Sequence, residues 1–273
     1  MFILYDKEMN KIDLPDGVTP LDIFISSISK ERVTERSEGR DGNIDYGSTY
    51  NSRDIELKLL LKANDTQDYR LLRDAVYATF QKEDSFFVSE SYQKGKRYLV
   101  SVDEPFIPER IQNNKRYAEA TINCTKVGLP FSESIGTTQD IDREGISDIS
   151  ELWGFGMGLT SDDESLRYTH STTAFKIYNA GNVSVNPFEH DIKIKIEGVS
   201  NGYELENLTT GDVFKVTENM SGNLVIDGAE ITNNGLQAFR KTNRRYITLA
   251  PGWNYIRQNR AIKTTWDFRF YYK

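Results

Sequence analysis

The sequence holds one cysteine, Cys124, and two histidines, His170 and His190, in 273 residues. A lone thiol permits no internal disulfide and no cysteine-rich zinc site. A catalytic zinc takes three protein ligands, as a rule with neighbouring imidazoles. The two histidines stand in unrelated contexts, Tyr168-Thr-His-Ser171 and Pro187-Phe-Glu-His190. No Gly-x-Ser-x-Gly elbow exists to present a His-assisted nucleophile. No run approaches the ~18 apolar residues of a membrane span. The start, Met1-Phe-Ile-Leu-Tyr5, meets Asp6, Lys7 and Glu8 at once, with no apolar signal-peptide stretch, so the chain is expected to be cytosolic at the point of synthesis. Disorder throughout is excluded by a chain 38% hydrophobic and 12% aromatic. The length exceeds the roughly 100–200 residues of a typical domain, so one large or two medium domains are expected.

Charge is unevenly spread. Residues 1–130 carry 19 basic and 22 acidic side chains, residues 131–170 carry 2 and 9, and residues 171–273 carry 13 and 10. The stretch from Ser132 to Gly145 is polar, acidic and without a sustained apolar period. It reads as a connector between two globular pieces. The division expected is 1–130, a connector at 131–150, and 151–273.

The first piece reads as strands with one helix. Ile55, Leu57, Leu59 and Leu61 alternate with Asp54, Glu56, Lys58 and Leu60, the period of a half-buried strand. Asn64-Asp-Thr66 then offers capping oxygens to a helical spacing, Tyr69, Leu72, Val76 and Phe80, which predicts a helix over 66–81. Strand patterns return at 85–89, 97–103 and 117–127. In the last, Ala118, Ala120, Ile122 and Cys124 share a face, so Cys124 is expected as a small core residue.

The second piece reads as strands alone. Ile192, Ile194 and Ile196 alternate with lysines, 203–208 and 213–216 flank a hairpin loop, and Pro251-Gly252 separates two late strands. Trp266, Phe268, Phe270 and Tyr272 share a face at the C-terminal end, and Trp253 and Trp266 are both expected in the core. Many short strands with Gly-rich turns describe a β-sandwich or jelly roll, so the fold class is mainly β.

The remaining motifs have bland readings beside their functional ones. Gly154-Phe-Gly-Met-Gly158 lacks the strand–turn–helix context of a phosphate loop and reads as a turn admitting close backbone approach, or a flexible strand start. Ser27-Ile-Ser-Lys30 matches Ser-x-x-Lys, but its surroundings argue for a strand, and the partner motifs of that enzyme class are missing. Asn123-Cys-Thr125 and Asn182-Val-Ser184 carry no glycosylation meaning without a secretion signal. Asp162-Asp-Glu164 reads as a solvated loop, and a glycosidase pair needs a defined separation that spacing does not give.

One charge feature stands out. No acidic residue lies between Glu230 and Asp267, whereas Arg240, Lys241, Arg244, Arg245, Arg257, Arg260 and Lys263 do. Contact with an acidic partner and pairing with the chain's own acidic connector both fit. Nucleic acid fits less well, because a chain of net charge -7 repels phosphate.

Several stretches, in order, resemble the distal tail proteins of long-tailed bacteriophages and prophages. They are Gly39-Arg-Asp-Gly42, Tyr50-Asn-Ser-Arg-Asp-Ile-Glu-Leu57 and Tyr69-Arg-Leu-Leu-Arg-Asp-Ala-Val76, then Leu129-Pro-Phe-Ser-Glu133 and Trp153-Gly-Phe-Gly156. Further on come Phe175 to Pro187, with Asn179-Ala-Gly181, and Leu249-Ala-Pro-Gly-Trp-Asn-Tyr-Ile256. Gly42, Gly181 and Gly252 suit positive φ, and Asn179 and Asn254 suit holding turns.

That resemblance implies an N-terminal ring-forming β domain with one helix and a C-terminal galectin-like β-sandwich. It implies a six-fold ring at the distal end of a virion tail, assembled in the bacterial host cytoplasm. The expected partners are further copies of the chain, the tail tube protein, the tail-associated hub protein and receptor-binding proteins, with no membrane and no sequence-specific nucleic acid. It implies no catalytic residue, metal or cofactor. An intact phage and a defective prophage element both remain open as the setting. The alternative from another class is a carbohydrate-binding module or glycan-degrading enzyme built on the C-terminal sandwich.

Overall fold

The alternation at 54–62 places four aliphatic side chains on one face, and that face is the floor of the first core. The structure, a computed structural model, describes residues 1–39, 41–111, 116–146, 152–162 and 164–273. It divides into two units, the first comprising Met1–Gln93, Arg97–Ser132 and Lys273, the second Lys94–Lys96 and Glu133–Tyr272.

In the first unit, strands β1 (Phe2–Tyr5), β2 (Lys11–Ile12), β3 (Val18–Ile25), β4 (Lys30–Glu35), β5 (Ile44–Tyr50) and β6 (Asp54–Lys62) precede helix α1 (Thr66–Gln81). Strands β7 (Phe86–Glu90), β8 (Lys96–Ser101), β9 (Glu109–Arg110) and β10 (Tyr117–Lys126) follow. The main sheet runs β2-β1-β7-β8-β10-β6-β3, with β9 on β10. The sheet curls, since the Met1 amino group next to β1 lies 3.8 Å from Asp22 on the edge strand β3.

Ile55, Leu57, Leu59 and Leu61 of β6 are opposed by Cys124, Ile122, Ala120 and Ala118 of β10, so all but Leu57 face a small side chain. Tyr69, Leu72, Val76 and Phe80 of α1 join the same core. The helix starts where the capping oxygens predict. Asp65 Oδ1 accepts from the N–H groups of Gln67 and Asp68 at 2.8 and 2.9 Å, and Asp68 accepts from Asn64 N–H at 2.7 Å. Strands β4 and β5 pair only with each other, and neither holds a buried residue.

In the second unit, β11 (Ser132–Ser134) and helix α2 (Thr138–Glu144) lead to β12 (Thr169–His170), β13 (Ala174–Asn179), β14 (Ile192–Ser200), β15 (Glu204–Asn207) and β16 (Asp212–Lys215). Then come β17 (Ser221–Asp227), β18 (Glu230–Asn233), β19 (Leu236–Gln237), β20 (Gly252–Gln258), β21 (Thr264–Phe268) and β22 (Tyr271–Tyr272). Two sheets, β12-β21-β14-β17-β18-β19 and β13-β20-β15-β16, make the sandwich. Phe175 of one meets Trp266 of the other with ring centroids 6.4 Å apart. Ile194, Ile196, Leu224, Ile226, Leu205, Phe214 and Ile256 are all buried.

Two expectations differ from the structure. The acidic stretch 131–150 is ordered over its described part, and α2 is stitched to β21. Strand β12 covers β21 at Thr264 and Thr265, and Tyr168 O takes the Trp266 N–H at 2.9 Å, which leaves Trp266 O and Phe268 N–H beyond the ladder. Thr138 Oγ1 fills that gap, donating to Trp266 O at 2.9 Å and accepting from Phe268 N–H at 3.0 Å. Positions 147–151, where the connector was to end, lie outside the described residues. Trp253 is half-buried instead of core, because odd positions of β20 face outward while Asn254, Ile256 and Gln258 face inward.

Candidate functional site

The groups most able to do chemistry are held in local structure. His170 Nε2 lies 3.0 Å from Arg167 O, and its ring stacks on Phe175 at 4.4 Å. His190 Nδ1 accepts from Asn186 N–H at 3.1 Å, and its ring meets Tyr271 edge-on at 4.2 Å. Burial lowers the pKa of both imidazoles from the usual value. Cys124 is buried in the first core, and burial pushes its thiol up to about 12. No group of three His, Cys, Asp or Glu among the described residues is arranged to hold a metal ion. Of the Asp162-Asp-Glu164 run, Asp163 lies outside the described residues, and Glu164 pairs with Lys176 at 3.2 Å.

Ser27 lies in the link before β4 and Lys30 opens that strand, so the two are not one helical turn apart. In the Gly154–Gly158 turn, a Cβ at Gly154 would stand 2.1 Å from Lys94 O, and one at Gly158 would stand 2.6 Å from Ala180 O. Close backbone approach explains these two glycines.

The turn residues serve two different purposes. Gly42 and Gly252 have φ of 82° and 80°, with open space around the absent Cβ. Gly42 sits in the loop between β4 and β5, where Arg40 lies outside the described residues. Gly181 differs from the expectation, because its φ is not positive and crowding makes it glycine. A Cβ there would lie 2.5 Å from Tyr271 O and 2.8 Å from Tyr271 N. Asn179 Oδ1 accepts from Gly181 N–H at 3.0 Å and its Nδ2 donates to Val183 O at 3.0 Å. Asn254 Oδ1 accepts from Ala250 N–H at 2.8 Å, and its Nδ2 donates to Ala250 O at 2.8 Å. Each buried amide thereby holds a turn.

All seven basic residues from Arg240 to Lys263 are exposed, but the structure separates them. Arg257 Nε donates to Glu206 at 3.0 Å on the outer face of β20 and β15. Lys263 pairs with Glu197 at 2.8 Å, and Arg260 donates to Asn201 O at 3.0 Å. Arg240, Lys241, Arg244 and Arg245 stay together in one turn after β19.

Two exposed surfaces escaped the sequence reading. In the first unit, the β4–β5 ribbon exposes Val33 and Tyr46 at 54% and 62%, and the edge strand β3 exposes Leu21 and Phe24. In the second, Trp253 and Tyr178 lie with centroids 4.9 Å apart on the outer face of β20 and β13, beside exposed Tyr255. Lys176 Nζ stands 5.5 and 5.7 Å from the Trp253 and Tyr255 rings. For the Trp253 face the signal is strand alternation, which turns apolar side chains of β20 away from the core.

A β protein of two units, the first a curled antiparallel sheet with one helix and the second a two-sheet sandwich, is the class that these features define. Residues 12–124 match the family model of the phage tail protein RIFT-related domain. The whole chain resembles the crystal structure of SPP1 Dit (gp 19.1), described as a paradigm of the hub adsorption apparatus in phages infecting Gram-positive bacteria. The TM-score is 0.68 at 14% identity, covering 99% of each chain. The phage P2 baseplate in its activated conformation, with Ca or with Sr, gives TM-scores of 0.44 and 0.43 at 10% and 12% identity, over 98% of this chain and 97% of those. A search of curated proteins finds no match. Residues 12–124 thus match a phage tail protein domain, and the whole chain shares the fold of SPP1 Dit.

Proposed function

We propose that this protein is a structural component of a phage tail, a ring-forming hub at the distal end that joins the tail tube to the tip or baseplate. The family match at 12–124 and the fold of the whole chain support the tail assignment. The observation that carries self-assembly is the β4–β5 ribbon. A two-stranded ribbon is marginal in water by itself, and this one exposes Val33 and Tyr46 beside the apolar edge of β3. Copies related head to tail would bury these surfaces and close a ring, because a rotation that closes needs one heterologous contact repeated. Six copies, the number the family resemblance implies, would leave the second units available to the hub and receptor-binding proteins.

Light scattering on the purified chain, with negative-stain images of the same peak, tests this reading. Rings of six subunits are the expected result. A monomer at every concentration, and in the presence of a tail tube or hub protein, overturns it.

A second reading, carbohydrate binding by the sandwich, is favoured by one observation, the Tyr178–Trp253–Tyr255 face. Half-exposed aromatic rings offer flat apolar surfaces to sugar rings. A glycan array of host cell-wall polymers, read on the native chain and on Trp253→Ala, decides it. A blank array removes the reading.

A further inference from the structure

Among the described cations of the second unit, Arg167, Lys195 and Arg260 are exposed without an ion pair one at a time, and only one stretch gathers several such cations together. Lys176, Lys193, Lys215 and Lys263 lie 3.2, 2.7, 2.9 and 2.8 Å from carboxylates, and Arg257 is bound to Glu206. Arg240, Lys241, Arg244 and Arg245 fall within six consecutive positions, all exposed, and have no ion pair among the described residues. In a chain of net charge -7 this concentration of uncompensated positive charge is local.

The turn that carries them is a built one. Thr242 is buried, with Oγ1 donating to Phe239 O at 2.9 Å and accepting from Arg244 N–H at 3.2 Å. Asn243 accepts from Lys215 N–H at 3.0 Å and Arg245 N–H at 3.3 Å, and donates to Val213 O at 2.8 Å. Arg244 itself sits at φ 59°, a conformation that a residue other than glycine keeps only where its surroundings hold it. Adjoining the turn, Phe188 is 66% exposed and meets Tyr246 edge-on at 4.8 Å. The backbone that carries the four cations is thus held in place and runs directly into the apolar Tyr246–Phe188 pair.

Among the described residues of the chain's own acidic stretch, no carboxylate pairs with this turn, and Asp162 accepts from Glu164 N–H at 3.4 Å. Asp140 and Glu144 are bound to Arg143, Asp142 accepts from Tyr168 N–H, Glu164 pairs with Lys176, and Glu133 has a partner too. We propose that the 239–246 turn, with Phe188, is a docking surface for an acidic segment of another protein. The guanidinium groups bind carboxylates as two-pronged donors, while Phe188 and Tyr246 receive an apolar side chain that anchors the segment. Nucleic acid is the poorer occupant, because the net negative chain repels a phosphate backbone at long range. This surface belongs to the second unit and stands or falls independently of the ring.

The test uses a fluorescein-labelled peptide of alternating Asp and Glu with one central Phe, and a single-stranded oligonucleotide of equal charge, read by anisotropy at low salt and again at about 0.3 M, where screening is strong. Saturable peptide binding is expected, weakened by salt and reduced at least about tenfold in R240Q/K241Q/R244N/R245Q, since four charge contacts are lost together. Asn at 244 keeps the left-handed conformation accessible. R240Q/K241Q, which leaves positions 242–245 untouched, is expected to lose several-fold and guards against misfolding. K193Q/K215Q is expected to bind as the native chain does. Absence of saturable peptide binding, equal loss in K193Q/K215Q, or tighter oligonucleotide binding through the same four residues would each overturn the proposal.

Discussion

Gly181 and Gly252 are both glycine for reasons that a pair of substitutions separates. At Gly181 an added Cβ would meet Tyr271 O at 2.5 Å and Tyr271 N at 2.8 Å, with Asn179 Oδ1 at 3.2 Å. The first two are backbone atoms, and Tyr271 O also accepts from Asn182 N–H at 3.1 Å, so the neighbour has little room to retreat. Overpacking of this kind costs about 3 kcal/mol. At Gly252 nothing lies within 4 Å, but φ is 80°, so the cost there is conformational, about 1–2 kcal/mol. Asn tolerates the left-handed region better than Ala does. Gly252→Asn should therefore recover part of the loss seen in Gly252→Ala, whereas Gly181→Asn should be at least as damaging as Gly181→Ala. All three tryptophans, Trp153, Trp253 and Trp266, belong to the second unit, so urea unfolding followed by tryptophan fluorescence reports that unit without assuming that both units melt together. If Gly181→Asn were milder than Gly181→Ala, or Gly252→Asn no better than Gly252→Ala, the assignment of crowding to one and left-handed backbone to the other would be wrong.

Three further outcomes follow from the geometry. The Cys124 thiol, pushed up to about 12 by burial, should resist a thiol reagent at pH 8 in the folded chain and react on unfolding; stoichiometric reaction without denaturant contradicts its placement in the core. His170 and His190 have pKa values lowered by burial, so the fold favours their neutral form. Their contribution is complete above the ordinary value near 6.5 and is lost as pH falls below it, so the melting temperature of the second unit should drop between pH 7.5 and 5.5, less so in His170→Asn; a drop unaltered by that change removes His170 from the account. Val33→Glu combined with Tyr46→Glu alters side chains that touch no core, and should abolish self-association while leaving circular dichroism and thermal midpoint unchanged; assembly that persists in this variant places the contact elsewhere.

The parts of the fold legible in the sequence are those where burial imposes a period. Ile55, Leu57, Leu59 and Leu61 are read off directly because β6 has a core on one side only, and α1 follows because its four buried residues fall on one stripe behind a capping Asp65. Helix α2 left no such trace. Its buried positions are Thr138 and Ile141, and what holds it is a hydroxyl bonded to the backbone of a strand more than a hundred residues later. The β4–β5 ribbon was silent for the opposite reason, since no residue in it is buried and alternation has nothing to mark. Gly181 was legible as a glycine position but not for its cause, which depends on Tyr271. The basic stretch was visible as composition, but pairing that splits Arg257, Arg260 and Lys263 from the 240–245 turn belongs to tertiary structure.

The two units also solve the problem of their outer surfaces differently, and that difference bears on what each is for. On the sandwich, cations along the strands are matched to carboxylates on neighbouring strands, as Lys193 is to Asp227 and Lys215 to Glu204. Exposed pairs of this kind add at most about 1 kcal/mol each, so their larger effect is to leave the surface electrostatically self-satisfied. Arg167, Lys195 and Arg260 are single exposed cations without an ion pair, and the turn at 240–245 differs from them in gathering four. The first unit is an exception in polarity, because Leu21, Phe24, Val33 and Tyr46 expose apolar area on an edge strand and a ribbon, where unpaired backbone groups invite another strand. An apolar edge selects a partner by shape and is insensitive to salt, whereas a basic turn selects by charge and is salt-dependent. Assembly through the first unit and recruitment through the second should therefore separate on a salt titration: raising ionic strength should release an acidic partner while rings persist.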